Sequence, residues 1–248
     1  MTRNSKGRPP AAAYRRRRMF QYILFDLDGT LTDPKPGITG CVQYALHEMG
    51  IEEPDLDRLE IFIGPPLMDS FMEFYGMERQ MAERAVEKYR ERFAVTGIYE
   101  NELYPGMKEM LAALKEAGCH LAVASSKPEP FVKRILEHFG IAEYFDVAVG
   151  SGLDGSLAQK EDVVREALRR LGEQMDAAGS ALPQDDSIGK AAVMVGDRKF
   201  DVIGARALGL RCVGVSFGYA QPGELEEAGA WRIAQNVETL GRILLEEV

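Results

Sequence analysis

The sequence predicts a doubly wound α/β fold, in which helices cover both faces of a parallel sheet. Five short apolar runs have the length and composition of buried parallel strands: residues 22–25, 121–124, 147–149, 192–195 and 212–215. Most of the segments between them repeat apolar residues at helical spacing. The chain has 248 residues and is 46% hydrophobic, which is enough for a sizeable core. Alternation of strands and helices on this scale is typical of doubly wound sheets.

Four segments between and after these strands are predicted to be helices, and a glycine follows each apolar stripe. The predicted helices cover residues 107–117, 128–139, 163–171 and 200–208. Glycine ends helices well because it adopts the left-handed conformation at little cost. Residues 172–190 are polar and rich in Gly, Ser, Asp and Gln, so we predict a surface linker there.

Residues 34–104 interrupt this alternation. Apolar residues recur there at helical spacing, first around Ile38–Leu46 and later around Ala85–Phe93, and only residues 61–63 resemble a brief strand. A segment of roughly 70 residues is too long to be a loop. We therefore predict a small helical domain at 34–104, inserted into an α/β core made of residues 19–33 and 105–248.

The first 18 residues carry seven cations and no acid. Without these cations the formal net charge changes from −9 to −16, and so acidic a body is a poor binder of nucleic acid. We interpret residues 1–18 as a disordered basic extension. A role in RNA binding or as a transit peptide remains the alternative.

The composition also restricts the compartment. No run of 18 apolar residues is present, so we expect no membrane-spanning helix. The cysteines Cys41, Cys119 and Cys212 lie far apart without a CxxC pair. This spacing argues against a disulfide scaffold or a cysteine zinc site. Buried thiols in a reducing cytoplasm are the expectation.

Polar residues follow the predicted strands at the points where they end. Because the carboxyl ends of parallel strands meet at one edge of a sheet, we expect these side chains to converge. They are Asp26, Asp28, Ser125, Ser126, Asp197 and Asp201, with Lys160 at the start of a helix. Clustered carboxylates repel one another unless a cation neutralises them. Mg²⁺ prefers a few carboxylates together with water and phosphate oxygen, so the set predicts a Mg²⁺ site that binds a phosphate ester.

Asp26 and Asp28 are two residues apart at the end of the first strand. Two carboxylates at neighbouring positions can divide the chemistry, one acting as nucleophile and the other moving a proton. Ser125 and Lys160 would orient and neutralise the phosphate.

Taken together, these motifs resemble those of haloacid-dehalogenase-superfamily phosphatases, and more narrowly the phosphoglycolate phosphatase and bacterial 5′-nucleotidase-like branch. The resemblance spans about residues 19–248. Its four motifs are Asp26-Leu27-Asp28-Gly29-Thr30-Leu31, Ser125, Lys160 and Gly196-Asp197-Arg198-Lys199-Phe200-Asp201. Ser125 stands where the branch more often has threonine, and Glu161 stands where proline often follows the lysine.

The resemblance implies a Rossmann-like core with an inserted helical cap, and a role for each motif. Asp26 would form an aspartyl-phosphate, and Asp28 would protonate the leaving alcohol and then activate water. Mg²⁺ would be held by Asp26, by the backbone carbonyl of Asp28 and by Asp197, and Asp201 would lie beside the metal, in contact either directly or through water. The phosphate-binding residues would be Ser125, Ser126 and Lys160.

Substrate choice is expected to depend on the cap. Gly64, Pro65 and Leu67 form a turn that either only connects helices or lines the substrate site. The substrate is predicted to be a small phosphorylated metabolite, and its identity stays open. A phosphomutase on the same fold and a noncatalytic phosphate-binding module are the alternatives. The chain is expected to be either a monomer or a homodimer.

Overall fold

A six-stranded parallel sheet forms the centre of the molecule. The computed structural model describes residues 20–177, 179 and 188–246, so the predicted extension at 1–18 lies outside the described residues. In spatial order the strands are β5-β4-β1-β6-β7-β8. Their bounds are β1 Tyr22–Phe25, β4 His120–Pro128, β5 Val147–Ser151, β6 Ala192–Gly196, β7 Arg211–Val215 and β8 Arg232–Ala234. All five predicted strands are confirmed. The sequence analysis missed β8 because its three residues begin with an arginine and form too short an apolar run.

The register of the central strand sets the position of the site. Phe25, the last residue of β1, pairs with Val123 of β4 and with Val195 of β6. The carboxyl ends of β1 and β6 and the matching part of β4 therefore lie at the same edge of the sheet, and β4 continues beyond it to Pro128. The predicted convergence of the strand ends is thus a direct consequence of parallel pairing.

Helices pack on both faces of the sheet. Along β1 the side chains of Ile23 and Phe25 join one apolar cluster, whereas Tyr22 and Leu24 join another on the opposite face. The helices of this core are α4 Met107–Glu116, α5 Glu129–His138, α6 Lys160–Ala177, α7 Ile188–Ala191, α8 Lys199–Ala207, α9 Glu224–Ala228 and α10 Val237–Leu244. Two buried faces identify the doubly wound architecture that the apolar strands predicted.

The predicted linker at 172–190 is partly wrong. Helix α6 continues through Gly172 to Ala177, and α7 begins at Ile188. A glycine inside a helix costs about 1 kcal/mol, but Leu171 and Met175 are both buried against the sheet and hold the helical face in place. Of the predicted linker, residue 178 and residues 180–187 lie outside the described residues.

The segment inserted between β1 and α4 is helical, as predicted. It contains α1 Lys35–Glu48, α2 Leu67–Tyr75 and α3 Arg79–Phe93. The brief strand considered at 61–63 is wrong: a 3₁₀ helix covers Leu56–Phe62, and it buries Leu59 and Phe62. We refer to these helices as the cap.

A small second sheet joins the cap to the core. Strand β2 (Thr32–Asp33) pairs antiparallel with β3 (Glu102–Leu103) where the chain leaves the core and returns to it. The sequence analysis missed this pair because two-residue strands carry no periodic signal. The domain boundaries at residues 34 and 104 stay a prediction.

The environment of the cysteines agrees with the sequence analysis. Cys41, Cys119 and Cys212 all lie in the described part of the chain, are buried, and form no disulfide. In the part of the chain that the structure describes, no helix combines the length and apolar character needed to cross a membrane.

Close packing at the start of α1 gives a stability test. A side chain at Gly37 would overlap the backbone carbonyl oxygen of Gly97. Gly37→Ala should lower the free energy of unfolding by about 1–3 kcal/mol. Gly40→Ala on the same helix is the control, because its Cβ would lie no closer than 3.4 Å to any neighbouring atom, the nearest being in the side chain of Arg92. Urea unfolding should show this control unchanged or slightly stabilised. Equal stability of both variants would contradict the packing described here.

Candidate active site

Three carboxylates converge where the central strands end. Asp26 directly follows β1, Asp197 directly follows β6, and Asp201 lies in the first turn of α8. Each offers an oxygen, and these oxygens all lie within 4.8 Å of one another. All three side chains are buried. Such a set of hard oxygen donors fits Mg²⁺.

Backbone and hydroxyl groups hold two of these carboxylates in place. Asp197 accepts hydrogen bonds from the Thr30 hydroxyl at 3.2 Å and from the backbone N–H of Tyr219 at 2.8 Å. Asp201 accepts one from the backbone N–H of Arg198 at 3.0 Å. Gly29 has φ +76°, and a Cβ there would overlap the Asp197 carboxylate. The glycine after Asp28 therefore permits both the turn and the close approach of Asp197.

Lys160 is the internal counter-charge of the cluster. Its ammonium lies 2.9 Å from Asp26 Oδ1 and 2.9 Å from Asp201 Oδ1, and donates to the carbonyl oxygen of Ala124 at 3.2 Å. Burial by itself would lower the pKa of Lys160, but the charges of Asp201 and Asp26 outweigh burial and raise it. Lys160 therefore remains a cation beside Asp26.

One lysine does not neutralise three carboxylates. Burial raises the pKa of Asp197 well above its ordinary value, and the charges of Asp201 and Asp26 raise it further. Burial likewise raises the pKa of Asp201 to about 6, although Lys160 opposes this shift. Excess negative charge in a buried site favours binding of a divalent cation.

The Asp28 side chain faces a different partner. Its Oδ2 lies 2.6 Å from the ammonium of Lys127, and both side chains are largely buried. Its Oδ1 is buried and has no hydrogen-bond partner among the residues that the structure describes. Burial raises the pKa of Asp28, and Lys127 partly offsets the effect. A metal contact from Asp28 would use its backbone carbonyl and stays a prediction.

Sequence analysis did not include Lys127 among the site residues. The signal was available, because Lys127 follows Ser125 and Ser126 directly at the end of a buried strand. Ser125 is buried, and its hydroxyl accepts a hydrogen bond from the backbone N–H of Lys127 at 3.3 Å. The backbone carbonyl of Ser126 accepts one from the Ser151 hydroxyl at 2.8 Å. This turn brings all three residues to the edge where Asp26 lies.

A cavity of about 350 Å³ separates the sheet edge from the cap. Its floor includes Asp26, Asp28, Ser125, Ser126 and Lys127. Its cap side includes Gly64, Pro65, Pro66 and Leu67, so the turn considered at the sequence level lies beside the carboxylates.

One arginine attaches that turn to the core. The Arg198 guanidinium donates a hydrogen bond to the backbone carbonyl of Ile63, directly before Gly64. It also pairs with Glu224, with 2.9 Å between Nε and Oε1. The fourth motif therefore holds the cap turn as well as the carboxylates.

One face of helix α3 forms another wall of the cavity. Val86, Tyr89, Arg90 and Phe93 contribute to it. The sequence analysis placed Val86, Tyr89 and Phe93 in a helical apolar stripe and did not say whether this stripe packs into the core or faces a cavity. The same period describes a helix face turned toward a cavity, so only the tertiary structure distinguishes the two.

Comparisons with known proteins agree with this fold and site. A family model described as haloacid dehalogenase-like hydrolase matches residues 23–215. A 5′-nucleotidase of Pseudomonas aeruginosa is 44% identical over 225 residues, covering 90% of this chain and 94% of that protein. A crystal structure of a predicted phosphatase from Clostridium acetobutylicum is 44% identical, with a TM-score of 0.79 over 90% of this chain and 97% of that one.

Two further relatives carry other names. The tyrosine-protein kinase PtkA of Mycobacterium tuberculosis is 40% identical over 81% of this chain and 64% of that protein. Phosphoglycolate phosphatase 1 of Pseudomonas aeruginosa is 29% identical over 90% of this chain and 79% of that protein.

The chain belongs to the haloacid dehalogenase-like hydrolases, because the family model covers most of its length. Within that family it is a phosphatase, a phosphoric monoester hydrolase, which confirms the class of enzyme predicted from the motifs.

The charge of the site predicts a pH-dependent effect of Mg²⁺. The pKa of Asp201 rises from 3.8 to about 6 on folding, so the metal-free protein loses stability as the pH rises through that window. Mg²⁺ requires ionised carboxylates and should reverse this loss. At saturating Mg²⁺ we expect the melting temperature to rise by about 5 °C or more near pH 7.5, and by much less near pH 5.

Melting curves with Mg²⁺ and with EDTA measure this effect. Asp201→Asn should lose most of the increase, whereas Asp162→Asn, at an exposed position of α6, should retain it. An increase that is equal at both pH values would contradict the prediction.

Proposed function

We propose that this phosphatase is a Mg²⁺-dependent phosphomonoester hydrolase that acts through an aspartyl-phosphate on Asp26. The observation that carries the proposal is the juxtaposition of Asp26 with Lys160, Asp197 and Asp201 at one buried sheet edge. Asp26, Asp197, Asp201 and the backbone carbonyl of Asp28 would hold the cation. When bound, Mg²⁺ would neutralise charge on the phosphoryl oxygens.

The residues at the sheet edge divide the reaction into two displacements. An oxygen of Asp26 attacks phosphorus, and the bond from phosphorus to the leaving oxygen breaks. Asp28 gives its proton to that oxygen, which leaves as the alcohol. Asp28 then takes a proton from water, and the water attacks phosphorus, which releases phosphate and restores Asp26. Lys160 and Ser125 hold the phosphoryl group during both steps.

The cavity favours a leaving group of nucleoside size. Phe62, Leu67, Tyr89 and Phe93 give the cap side an apolar and aromatic character. A glycolate leaving group is too small to fill a cavity of about 350 Å³, and it offers nothing for these rings to contact. A planar base can pack against them. We therefore propose 5′-nucleotidase-like rather than phosphoglycolate phosphatase-like specificity, which accords with the name of the Pseudomonas relative.

The composition of the chain and the chemistry of the site indicate which partner the enzyme binds and in which compartment it acts. The partner is a small-molecule phosphate ester, and the acidic body argues against nucleic acid. Buried cysteines without disulfides are typical of reducing compartments, so we propose a cytoplasmic location.

The nucleophile is tested by Asp26→Asn. The amide has nearly the shape of the carboxylate but is a far poorer nucleophile, so hydrolysis of p-nitrophenyl phosphate with Mg²⁺ should fall by at least about 10³-fold. The measurement is phosphate release, with a cooperative melting transition as a check of folding. A variant that keeps more than a few percent of wild-type turnover would show that Asp26 is not the nucleophile.

The cap side of the cavity is tested by Leu67→Ala. Because Leu67 lines the cavity, kcat/KM should change unequally across a nucleoside monophosphate, a sugar phosphate and phosphoglycolate. Asp197→Asn is the contrasting variant, because loss of a carboxylate from the metal site should depress all three substrates together. A flat Leu67→Ala profile would mean that the residue has only a structural role.

A further inference from the structure

The two oxygens of Asp28 are in unequal environments. Oδ2 lies 2.6 Å from Lys127 Nζ, whereas Oδ1 is buried and makes no hydrogen bond within the described part of the chain. A carboxyl group that transfers a proton works best with one oxygen held in place and the other without a competing hydrogen bond. The ion pair with Lys127 produces this asymmetry and leaves Oδ1 as the reacting oxygen.

Lys127 also contacts the cap. Its ammonium lies 4.5 Å from the ring centroid of Phe93, the last residue of α3. The Phe93 ring in turn stacks on Tyr89 at 5.4 Å between centroids, and meets the edge of Phe131 at 5.3 Å. The ammonium of Lys127 is thus enclosed between a carboxylate of the core and an aromatic face of the cap, where a cation–π contact is strongest because water is excluded.

Fold stability does not account for this arrangement. The side chains of Lys127 and Asp28 are only 6% and 12% exposed. Removing such a pair from water usually costs about as much as the attraction returns, and an apolar pair of similar volume is often at least as stable. A buried lysine that contacts one carboxylate and one ring is therefore better explained by the position it imposes on them.

We propose that Lys127 is a positioning residue that fixes the rotamer of Asp28 for proton transfer, and that Phe93 makes this position depend on docking of the cap. The inference rests on the function proposed above and adds to it the residues that join cap to acid. Lys127 itself forms no bond to the substrate in this scheme, and the proton moves only between Asp28, the leaving oxygen and water.

The test compares phosphate esters whose leaving groups differ in how strongly they need a proton from Asp28. The esters are p-nitrophenyl, p-cyanophenyl and phenyl phosphate, which are similar in shape but increase in leaving-group basicity in that order. The parameter kcat/KM reports formation of the aspartyl-phosphate and excludes its hydrolysis. In Lys127→Met, kcat/KM for phenyl phosphate should fall by about 100-fold and that for p-nitrophenyl phosphate by less than about 5-fold. The dependence of kcat/KM on leaving-group basicity should therefore be steeper in Lys127→Met than in the wild type.

Two further lysine variants accompany this measurement. Lys127→Arg keeps a cation that can pair with Asp28, so it should restore much of the activity toward phenyl phosphate. Lys133→Met is the matched control, because Lys133 is 56% exposed and pairs with Glu129 on the surface of α5. It should behave as the wild type.

Phe93→Leu tests the contact with the cap while keeping the lysine. It removes the aromatic face beside the ammonium of Lys127. The loss of kcat/KM should therefore again be larger for phenyl than for p-nitrophenyl phosphate. Phe71→Leu in helix α2 is its control, because Phe71 is equally buried in the cap but outside the cavity. Its losses should be equal for both esters.

The outcomes separate the two proposals. A uniform loss across the three esters in both Lys127→Met and Phe93→Leu would overturn the positioning role and leave the proposed hydrolase intact. If Lys127→Met does not fold, Lys127→Arg and Phe93→Leu decide the matter by the same criterion. A wild-type protein that hydrolyses none of the esters with Mg²⁺ would instead refute the proposed function.

Discussion

The burial of three carboxylates at one edge of a parallel sheet, with the Lys160 ammonium in contact with two of them, is the constraint on which the site depends. Parallel pairing of β1 with β4 and β6 brings the strand ends together. Burial of the carboxyl groups there then raises the free energy needed to ionise them, as the raised pKa of Asp197 shows. The backbone turn at Gly29 and the hydrogen bonds to Asp197 hold the carboxylates against their repulsion. A site held in this way would be preorganised for the cation and the phosphoryl group of the proposed function.

The cap completes the site from the opposite side. It contributes the turn at residues 64–67, attached to the core through Arg198, and one face of α3. The cavity between cap and core has the carboxylates, serines and Lys127 on its core side and apolar side chains on its cap side. Lys127 connects these two parts physically, because it touches Asp28 below and Phe93 above. In the proposed function, recognition of the leaving group and placement of the acid would therefore share the same few residues.

Much of this arrangement could be predicted from local sequence. The strands β1, β4, β5, β6 and β7 were predicted because buried parallel strands are apolar on both faces. Asp26, Asp197 and Asp201 were predicted because the ends of such strands meet. The errors occurred where local signals are weak or ambiguous: β8 is too short, Gly172 does not end α6, and residues 61–62 belong to a 3₁₀ helix in which Leu59 and Phe62 pack inward.

The sequence by itself determined which carboxylates and which hydroxyl follow buried strands, and which lysine begins a nearby helix. Strand ends and motif spacing are local properties, so they can be recognised in the sequence. Only the tertiary structure decided which of these groups touch. It placed Lys127 on Asp28 and turned Tyr89 and Phe93 of α3 toward the cavity. The physical reason is that the sequence pattern of a helical apolar stripe is the same whether the stripe faces the core or a cavity. In the same way, a lysine in the sequence does not reveal which partner its ammonium contacts. What they face is fixed by how the cap packs on the sheet.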